Sequence, residues 1–559
     1  MTEATDTDLL EPAPVALPAS ETEGAAIAPP PKNVPAHLGE QLILPLEDLL
    51  VRPPGPGIPR ARRVFVNRDL RMSTISYVGF DMDYTLAIYD QPEMDRLSIE
   101  ATVKKLVTRG YPDLIAEIPQ ATEFAVRGLL IDKRYGHILK MDRYKHVTKG
   151  YHGFQELTKE ELRSLYHAKK TRPATARYHW IDTLYALSEA SLYAAMIDAL
   201  EKLGHAIDYA KVFTDIRESI DEAHRDGTIL DAVMADLPRF VKRDAELALT
   251  LHKLRSSGKK LFVLTNSRWE YTDRMMTYLL GGAMAEYPSW KNYFDVVVVA
   301  ATKPAFFQER RPLLERDGDK VGPANFSDRN KARKAGASRT VPIYEGGNLV
   351  DFERVLGVSG DQVLYVGDHI YGDILRSRKD SAWSTAMIMQ ELETEILAYE
   401  ACQPDFTQAQ QLDELREHLE NDLRFYQARY KDLTKAIEHG EAARASTPDL
   451  SKVAATNNGN GAPPDFEAER GRVKRALERI RGLLKQVEAE LGGLSRRIDA
   501  RFHPFWGSLL KEANEESIFG AQVEEYASVY TSRVSNFLAY SPQQFFRSPR
   551  DVMPHEVGA

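Results

Sequence analysis

Short apolar runs recur along the chain, and polar residues with usable chemistry close each of them. Residues 75–80 (Ile-Ser-Tyr-Val-Gly-Phe) end at Asp81 and Asp83. Residues 260–264 (Lys-Leu-Phe-Val-Leu) end at Thr265, Asn266 and Ser267. The run 294–300 holds the valines 296–299 and leads to Thr302-Lys303-Pro304. Residues 363–366 end at Gly367-Asp368-His369, and residues 385–389 form one more run. Runs of this length without polar alternation read as strands buried on both faces of a parallel sheet. Helical segments lie between them, so the pattern predicts an α/β fold with a doubly wound parallel sheet.

The pattern lapses between the first and second runs. Residues 91–250 are mixed, and an inserted α+β cap is expected there. Residues 128–132 and 137–141 bracket Lys133-Arg134-Tyr135-Gly136, the signature of a β-hairpin. Residues 180–203 are expected to be helical, with Leu184, Leu187, Leu192 and Met196 on one face. Residues 308–340 are polar and basic with no clear period and read as a surface excursion. Further on, Leu412, Leu415, Leu419, Leu423, Tyr426, Tyr430, Leu433 and Ile437 follow 3-4 spacing. So do Val473, Leu477, Ile480, Leu484, Val487, Leu491, Leu494 and Ile498. This predicts an antiparallel hairpin of two long helices with a flexible Ser/Asn/Gly/Pro-rich tip at 445–464. The hairpin is expected to serve assembly or stability rather than chemistry. The expected order is therefore a disordered tail (1–40), the start of the α/β core (41–90), the cap (91–250), the rest of the core (251–400), the helical hairpin (401–500) and an aromatic-rich segment packing back on the core (501–559).

Composition narrows the class. Of 559 residues, 43% are hydrophobic, enough for a large core, and the formal net charge is −9. That charge argues against a binder of nucleic-acid polymers. Cys402 is the single cysteine, so neither an internal disulfide nor a cysteine-cluster metal site can form. No apolar run is long enough to span a membrane. The N-terminal Met1-Thr2-Glu3-Ala4 lacks the basic and apolar regions of a signal peptide. A cytoplasmic protein is expected, and a homo-oligomer is compatible with it.

The strand ends supply a coherent set for phosphoryl transfer. Taken singly, Thr265 reads as a helix cap, Lys303 as a surface lysine, and Asp368 and Asp373 as loop or capping carboxylates. Taken together, at successive strand ends, they make a site. A phosphate monoester repels a bare carboxylate, and Mg²⁺ with a lysine cancels that repulsion. Asp81, Asp83, Asp368 and Asp373 are candidate ligands, because Mg²⁺ prefers oxygen donors. Thr265, Asn266 and Ser267 offer hydroxyls and backbone N–H groups to phosphate oxygens. Asp81 would attack phosphorus and carry an aspartyl-phosphate, while Asp83 would move the proton.

Asp81-Met82-Asp83-Tyr84-Thr85 resembles the DxDxT signature of the haloacid dehalogenase superfamily. Thr265, Lys303 and Gly367-Asp368…Asp373 resemble its later motifs. Longer stretches resemble the cytosolic purine 5′-nucleotidase family. They run from Phe80 through Tyr89, Leu264 through Leu279, Lys303 through Phe307 and Tyr365 through Ile374, with Phe545 through Asp551 near the end. The resemblance covers most of 65–395 and 500–556. An acidic C-terminal run found in some family members is absent. The resemblance implies a haloacid dehalogenase-like core and a Mg²⁺-dependent nucleoside 5′-monophosphate phosphatase, with 6-oxo purine nucleotides (IMP, GMP) as substrates. Two cap stretches, 151–154 and 177–184, also resemble the nucleotidases, so Phe154 could stack on a base and Asp182 could bond a purine edge. The alternatives are a phosphatase of another small phosphoester and a non-catalytic interaction protein that keeps the fold.

Overall fold

The computed structural model describes residues 57–117, 122–167, 171–204, 206–318, 320–324, 341–446, 465–512 and 514–549. The expected tail at 1–40 and positions 447–464 of the expected tip lie outside the described residues. Every element named below lies within Ile58–Ala559.

A ten-stranded sheet forms the centre. Its order is Phe65–Val66, Val529–Thr531, Ser384–Ile388, Val363–Gly367, Tyr77–Phe80, Lys260–Leu264, Val296–Val299, Ile343–Gly346, Leu313–Asp317, Lys320–Pro323. From Val529–Thr531 to Ile343–Gly346 the neighbours are all parallel; the outer strands are antiparallel. Alternate residues of the central strands enter different clusters. Val78, Phe80, Leu261, Val263, Val297 and Val366 join one, and Tyr77, Phe262, Leu264, Val298 and Tyr365 the other. Burial on both faces explains why these strands read as unbroken apolar runs. Gly79 is required by this packing, because a Cβ there would lie 2.1 Å from the Phe262 ring.

Register sets the site. Phe80 pairs with Val263 on one side and Val366 on the other, and Leu264 pairs with Val298. Parallel direction therefore brings Asp81, Thr265 and Asp368 to one edge of the sheet, with Lys303 in the loop after Val296–Val299. This is the edge where open α/β sheets bind ligands.

The chain between the first two core strands builds a second sheet of five antiparallel strands, in the order Gln155–Glu156, Val147–His152, His137–Met141, Leu129–Asp132, Tyr178–Ile181. Leu130 pairs with Leu139, as the hairpin pattern predicts. The helix expected at 180–203 begins later, at Leu187–Lys202. Trp180 and Ile181 pair instead with Leu130 and Leu129, and Leu184 lies in a short 3-10 turn capped by Thr183. The stretch Tyr-His-Trp-Ile suits a pleated strand better than a helix.

The excursion expected at 308–340 contains two strands that extend the sheet, Leu313–Asp317 and Lys320–Pro323; positions 325–340 lie outside the described residues. Lys320–Pro323 is the edge strand and Leu313–Asp317 its neighbour, and both are largely half-buried or exposed, so the sequence carried no apolar run to mark them. The two long helices are Gln403–Ser446 and Phe466–Phe502. Leu419 packs with Ile480 and Val487, and Leu433 with Val473 and Leu477. Leu415, expected in this stripe, is 45% exposed. Among the described residues no helix is long and apolar enough to cross a membrane.

One buried acid makes a test of the packing below the site. Asp95, on helix Gln91–Thr108, is 2% exposed. Its Oδ1 accepts from Gln91 Nε2 (2.8 Å) and its Oδ2 has no partner. Burial pushes its carboxyl from 3.8 to about 8, and the Gln91 bond pulls back only in part. The folded state thus holds a proton that the unfolded chain releases near pH 4. The associated stability is complete below that pH and is lost as pH rises toward 8, at up to about 1.4 kcal/mol per pH unit. Asp95→Asn, which has no proton to lose, should show a shallower fall in urea midpoint between pH 5 and 8. Equal slopes for the two proteins would place the pH dependence elsewhere.

Candidate functional site

Three buried carboxylates meet at the sheet edge. Asp81, Asp368 and Asp373 each offer an oxygen within 4.8 Å of the others. Lys303 is the cation beside them. Its Nζ lies 3.0 Å from Asp81 Oδ1 and 2.6 Å from Asp373 Oδ1, and donates to the Tyr365 hydroxyl at 2.8 Å. Burial pushes the Asp81 carboxyl up to about 8; Lys303 pulls it down, while Asp373 and Asp83 push it further up. Asp368 is raised well above the carboxylate range, first by burial and then by Asp373 and Asp81, with Arg127 and Lys303 opposing. Burial alone would lower the Lys303 ammonium, but Asp373 and Asp81 outweigh it and hold it above its ordinary value.

The local backbone is built for this crowding. Gly367 stands where a Cβ would lie 2.6 Å from the Asp373 side chain, so only glycine lets Asp373 reach the cluster. Tyr84, Ala300 and Thr302, in the loops that carry Asp83 and Lys303, have φ of 55°, 47° and 57°. Left-handed backbone at non-glycine residues costs on the order of 1 kcal/mol each and persists where surrounding contacts impose it.

Asp83 stands apart from the cluster, contrary to its expected place among the metal ligands. The Tyr89 hydroxyl donates to its Oδ1 and the Ser267 hydroxyl to its Oδ2, each at 2.6 Å. The Tyr89 and Tyr271 hydroxyls are 2.8 Å apart. Burial raises Asp83, against the lowering effect of the Ser267 and Tyr89 bonds. An acid whose hold on its proton is strengthened by burial suits a proton donor.

The other expected groups are used in unexpected ways. Thr265 is fully buried, and its hydroxyl accepts from the Ser267 N–H at 3.1 Å. Asn266 clasps the backbone of Lys303: its Nδ2 donates to the carbonyl (3.0 Å) and its Oδ1 accepts from the N–H (2.6 Å). Its side chain therefore positions the lysine loop rather than reaching for a ligand.

A cavity of about 940 Å³ opens over the site between cap and sheet edge. Asp83, Asn266, Ser267 and His369 line one end, and Asp182, Tyr185, Glu189 and Arg217 another part of the wall. Asp182 is thus brought to the cavity. Phe154 is not. It packs edge-on against Phe124, 5.1 Å between centroids, in a cluster with Tyr151, Phe505 and Trp506. Phe154 is half-buried against this aromatic nest. Within the wall, Arg217 Nη1 lies 2.8 Å from Glu189 Oε1.

Sequence reasoning missed several supports. Tyr89, Tyr271 and Tyr365 lie inside the stretches compared with the nucleotidases, and a tyrosine close to a motif acid was the available signal. Arg127 had none. It precedes the strand Leu129–Asp132, yet its side chain is fully buried. Its Nη1 donates to the Asp368 carbonyl (2.9 Å), while Nε and Nη2 grip Glu391 (2.8 and 2.7 Å). The Phe519 ring lies 4.9 Å beneath the guanidinium.

A model of the 5′ nucleotidase family matches residues 64–558. A 5′-nucleotidase domain-containing protein of Dictyostelium discoideum is 27% identical over 502 residues, covering 88% of this chain and 74% of that protein. The 5′-nucleotidase domain-containing protein 2 of Homo sapiens is 30% identical over 347 residues, covering 60% of this chain and 64% of that protein. The match thus spans less than two thirds of the human protein. A solved structure titled as a predicted phosphoglycolate phosphatase from Haemophilus somnus overlaps at 12% identity with a TM-score of 0.24, covering 57% of this chain and 87% of that one.

Arg127→Met should remove both the grip on Glu391 and the bond to the Asp368 loop. Breaking a buried charge pair from one side costs about 3 kcal/mol. The expected result is a stability loss of that order in urea unfolding. A loss below about 1 kcal/mol would show that the pair carries no strain-bearing contact between the cap strand and the Asp368 loop.

Proposed function

The chain belongs to the 5′-nucleotidase family, and from that premise we propose that it is a Mg²⁺-dependent nucleoside 5′-monophosphate phosphatase of the cytoplasm, acting through an aspartyl-phosphate on purine nucleotides. The observation that carries the reading is the buried Asp81/Asp368/Asp373 cluster beside Lys303, close in sequence to Asp83 and His369, which line a cavity of about 940 Å³. That volume suits a nucleotide better than a small base-free phosphoester.

The donor set fits a hard divalent cation. It offers carboxylate oxygens only, and one lysine cannot keep three buried carboxylates ionised. Asp81, Asp368 and Asp373 would hold Mg²⁺, which when bound supplies neutralising charge to the nucleophile and the phosphate.

The chain's own groups divide the reaction. Asp81 forms a bond to phosphorus as the ester O–P bond breaks, and Asp83 gives its proton to the leaving ester oxygen. Asp83 then takes a proton from water as that water attacks the phosphorus. The Asp81–P bond breaks and inorganic phosphate leaves. Lys303 holds charge on Asp81 and the transferred group. Tyr89 and Ser267 keep Asp83 aimed, and Asn266 keeps the Lys303 loop in place. Asp182, in the cavity wall, is the group offered to a purine edge of the IMP or GMP type.

Asp81→Asn should lose at least about a thousandfold in turnover with the fold intact, because the amide is nearly isosteric and a poor nucleophile. Turnover near wild type would eliminate Asp81 as nucleophile. Exhaustive chelation should abolish activity, and added Mg²⁺ should restore it; full activity in metal-free protein would sink the cation assignment. For the substrate, Asp182→Ala should lower kcat/KM on IMP by about tenfold or more and change hydrolysis of a generic phosphoester little. Equal losses on both, or a wild-type preference for pyrimidine nucleotides, would remove the purine assignment and leave the phosphatase chemistry standing.

A further inference from the structure

His369 stands at the joint between the carboxylate cluster and the cavity. It follows Asp368 directly, and its backbone is tied to the cluster, because its N–H donates to Asp373 Oδ2 at 3.3 Å. Its carbonyl accepts from the N–H groups of Asp373 (2.9 Å) and Ile374 (3.3 Å). The second of these is the wide-turn bond of the short π-helix Ile370–Leu375, a form of turn frequent at functional sites. The side chain is fixed as well. Its Nδ1 accepts from the Tyr371 N–H at 3.3 Å. A Cβ at Gly372 would lie 3.1 Å from the ring carbon Cδ2, closer than an ordinary contact, so the glycine leaves room for the imidazole.

These contacts decide which nitrogen carries the proton. A ring whose Nδ1 accepts is neutral and bears its hydrogen on Nε2. Among the described residues Nε2 has no hydrogen-bond partner, and the half-buried ring lines the cavity. The polar neighbours named at that end are already committed. Ser267 donates to Asp83, both oxygens of Asp83 accept, and both polar side-chain atoms of Asn266 hold the Lys303 backbone. His369 therefore offers the cavity a donor that is fixed in place and free.

Position selects the part of the ligand it meets. On one side lies the cluster that takes the phosphate. On the other, Asp182 is the carboxylate whose charge acts most strongly on the ring, ahead of Asp373. A nucleoside monophosphate reaching from the cluster to Asp182 has its sugar between them. The hydroxyls of a ribose project from the sugar and accept more strongly than its ring oxygen. We propose that His369 binds the ribose of the substrate, donating from Nε2 to a ribose hydroxyl, and so selects ribonucleotides over deoxy forms. This rests on the nucleoside-monophosphate reading above and adds to it the group that reads the sugar.

A purely structural role would use Nδ1, as the cap of the π-helix, and two substitutions separate the nitrogens. Asparagine supplies an acceptor near Nδ1 and no donor at Nε2; glutamine supplies an amide N–H near Nε2 and gives up the cap. Wild type, His369→Asn and His369→Gln would be assayed with Mg²⁺ on GMP, its 2′-deoxy and 3′-deoxy forms, and p-nitrophenyl phosphate. Wild type should favour GMP over at least one deoxy form by about tenfold in kcat/KM. His369→Asn should lose about that factor on GMP, erase the preference and leave p-nitrophenyl phosphate within about twofold of wild type. His369→Gln should retain the preference. Equal use of the three nucleotides by wild type would overturn the role of His369 and leave the nucleotidase reading standing. So would a preference kept in His369→Asn, or a loss in that variant as large on p-nitrophenyl phosphate as on GMP. Turnover of p-nitrophenyl phosphate and of no nucleotide would overturn both.

Discussion

Everything at the catalytic edge depends on one electrostatic constraint: three buried carboxylates share one buried ammonium. Asp81, Asp368 and Asp373 repel one another in a medium that screens poorly, and Lys303 reaches only two of them. Such an arrangement holds only when the surroundings fix every member. Gly367 clears room for Asp373, Asn266 grips the backbone of Lys303, and Tyr365 bonds both the lysine and Asp373. Left-handed residues on either side of the cluster follow from the same demand. The sheet supplies the rigid platform, because its central strands are buried on both faces.

The cap is joined to this cluster rather than merely set over it. Arg127 enters from the start of a cap strand, binds the Asp368 carbonyl and is held by Glu391 and Phe519. A change in the position of the cap strand would therefore be felt at the Asp368 loop. The cavity wall adds a second link, since Asp83 and Asp182 line one space.

The core strands were legible because double burial strips polar residues from them, leaving runs such as 260–264 and 296–299 that end in chemistry. The site motifs were legible because strand ends in a parallel sheet converge. What the sequence hid has physical reasons. Leu313–Asp317 lies next to the sheet's edge with most of its side chains half-buried or exposed, so it needs no apolar run. Trp180 and Ile181 took part in a strand because a partner, Leu129–Asp132, was available across space. Phe154 looked like a stacking platform, but Phe124 packs edge-on against it, and Phe505 and Trp506 reach Phe124 from the far end of the chain. Asp83 looked like a ligand until Tyr89 and Ser267 claimed both its oxygens. Arg127 gives no local signal, since its partners are 241 and 264 residues away.

The central claim is that Asp81 receives the phosphoryl group, and covalent trapping tests it most directly. Protein turning over a nucleoside monophosphate with Mg²⁺ would be quenched, reduced with borohydride and digested. An acyl-phosphate on an aspartate is thereby converted to homoserine, which mass spectrometry assigns to a residue. The account predicts homoserine at position 81, absent without substrate. Modification at Asp83, Asp368 or Asp373, or none during full turnover, would contradict it.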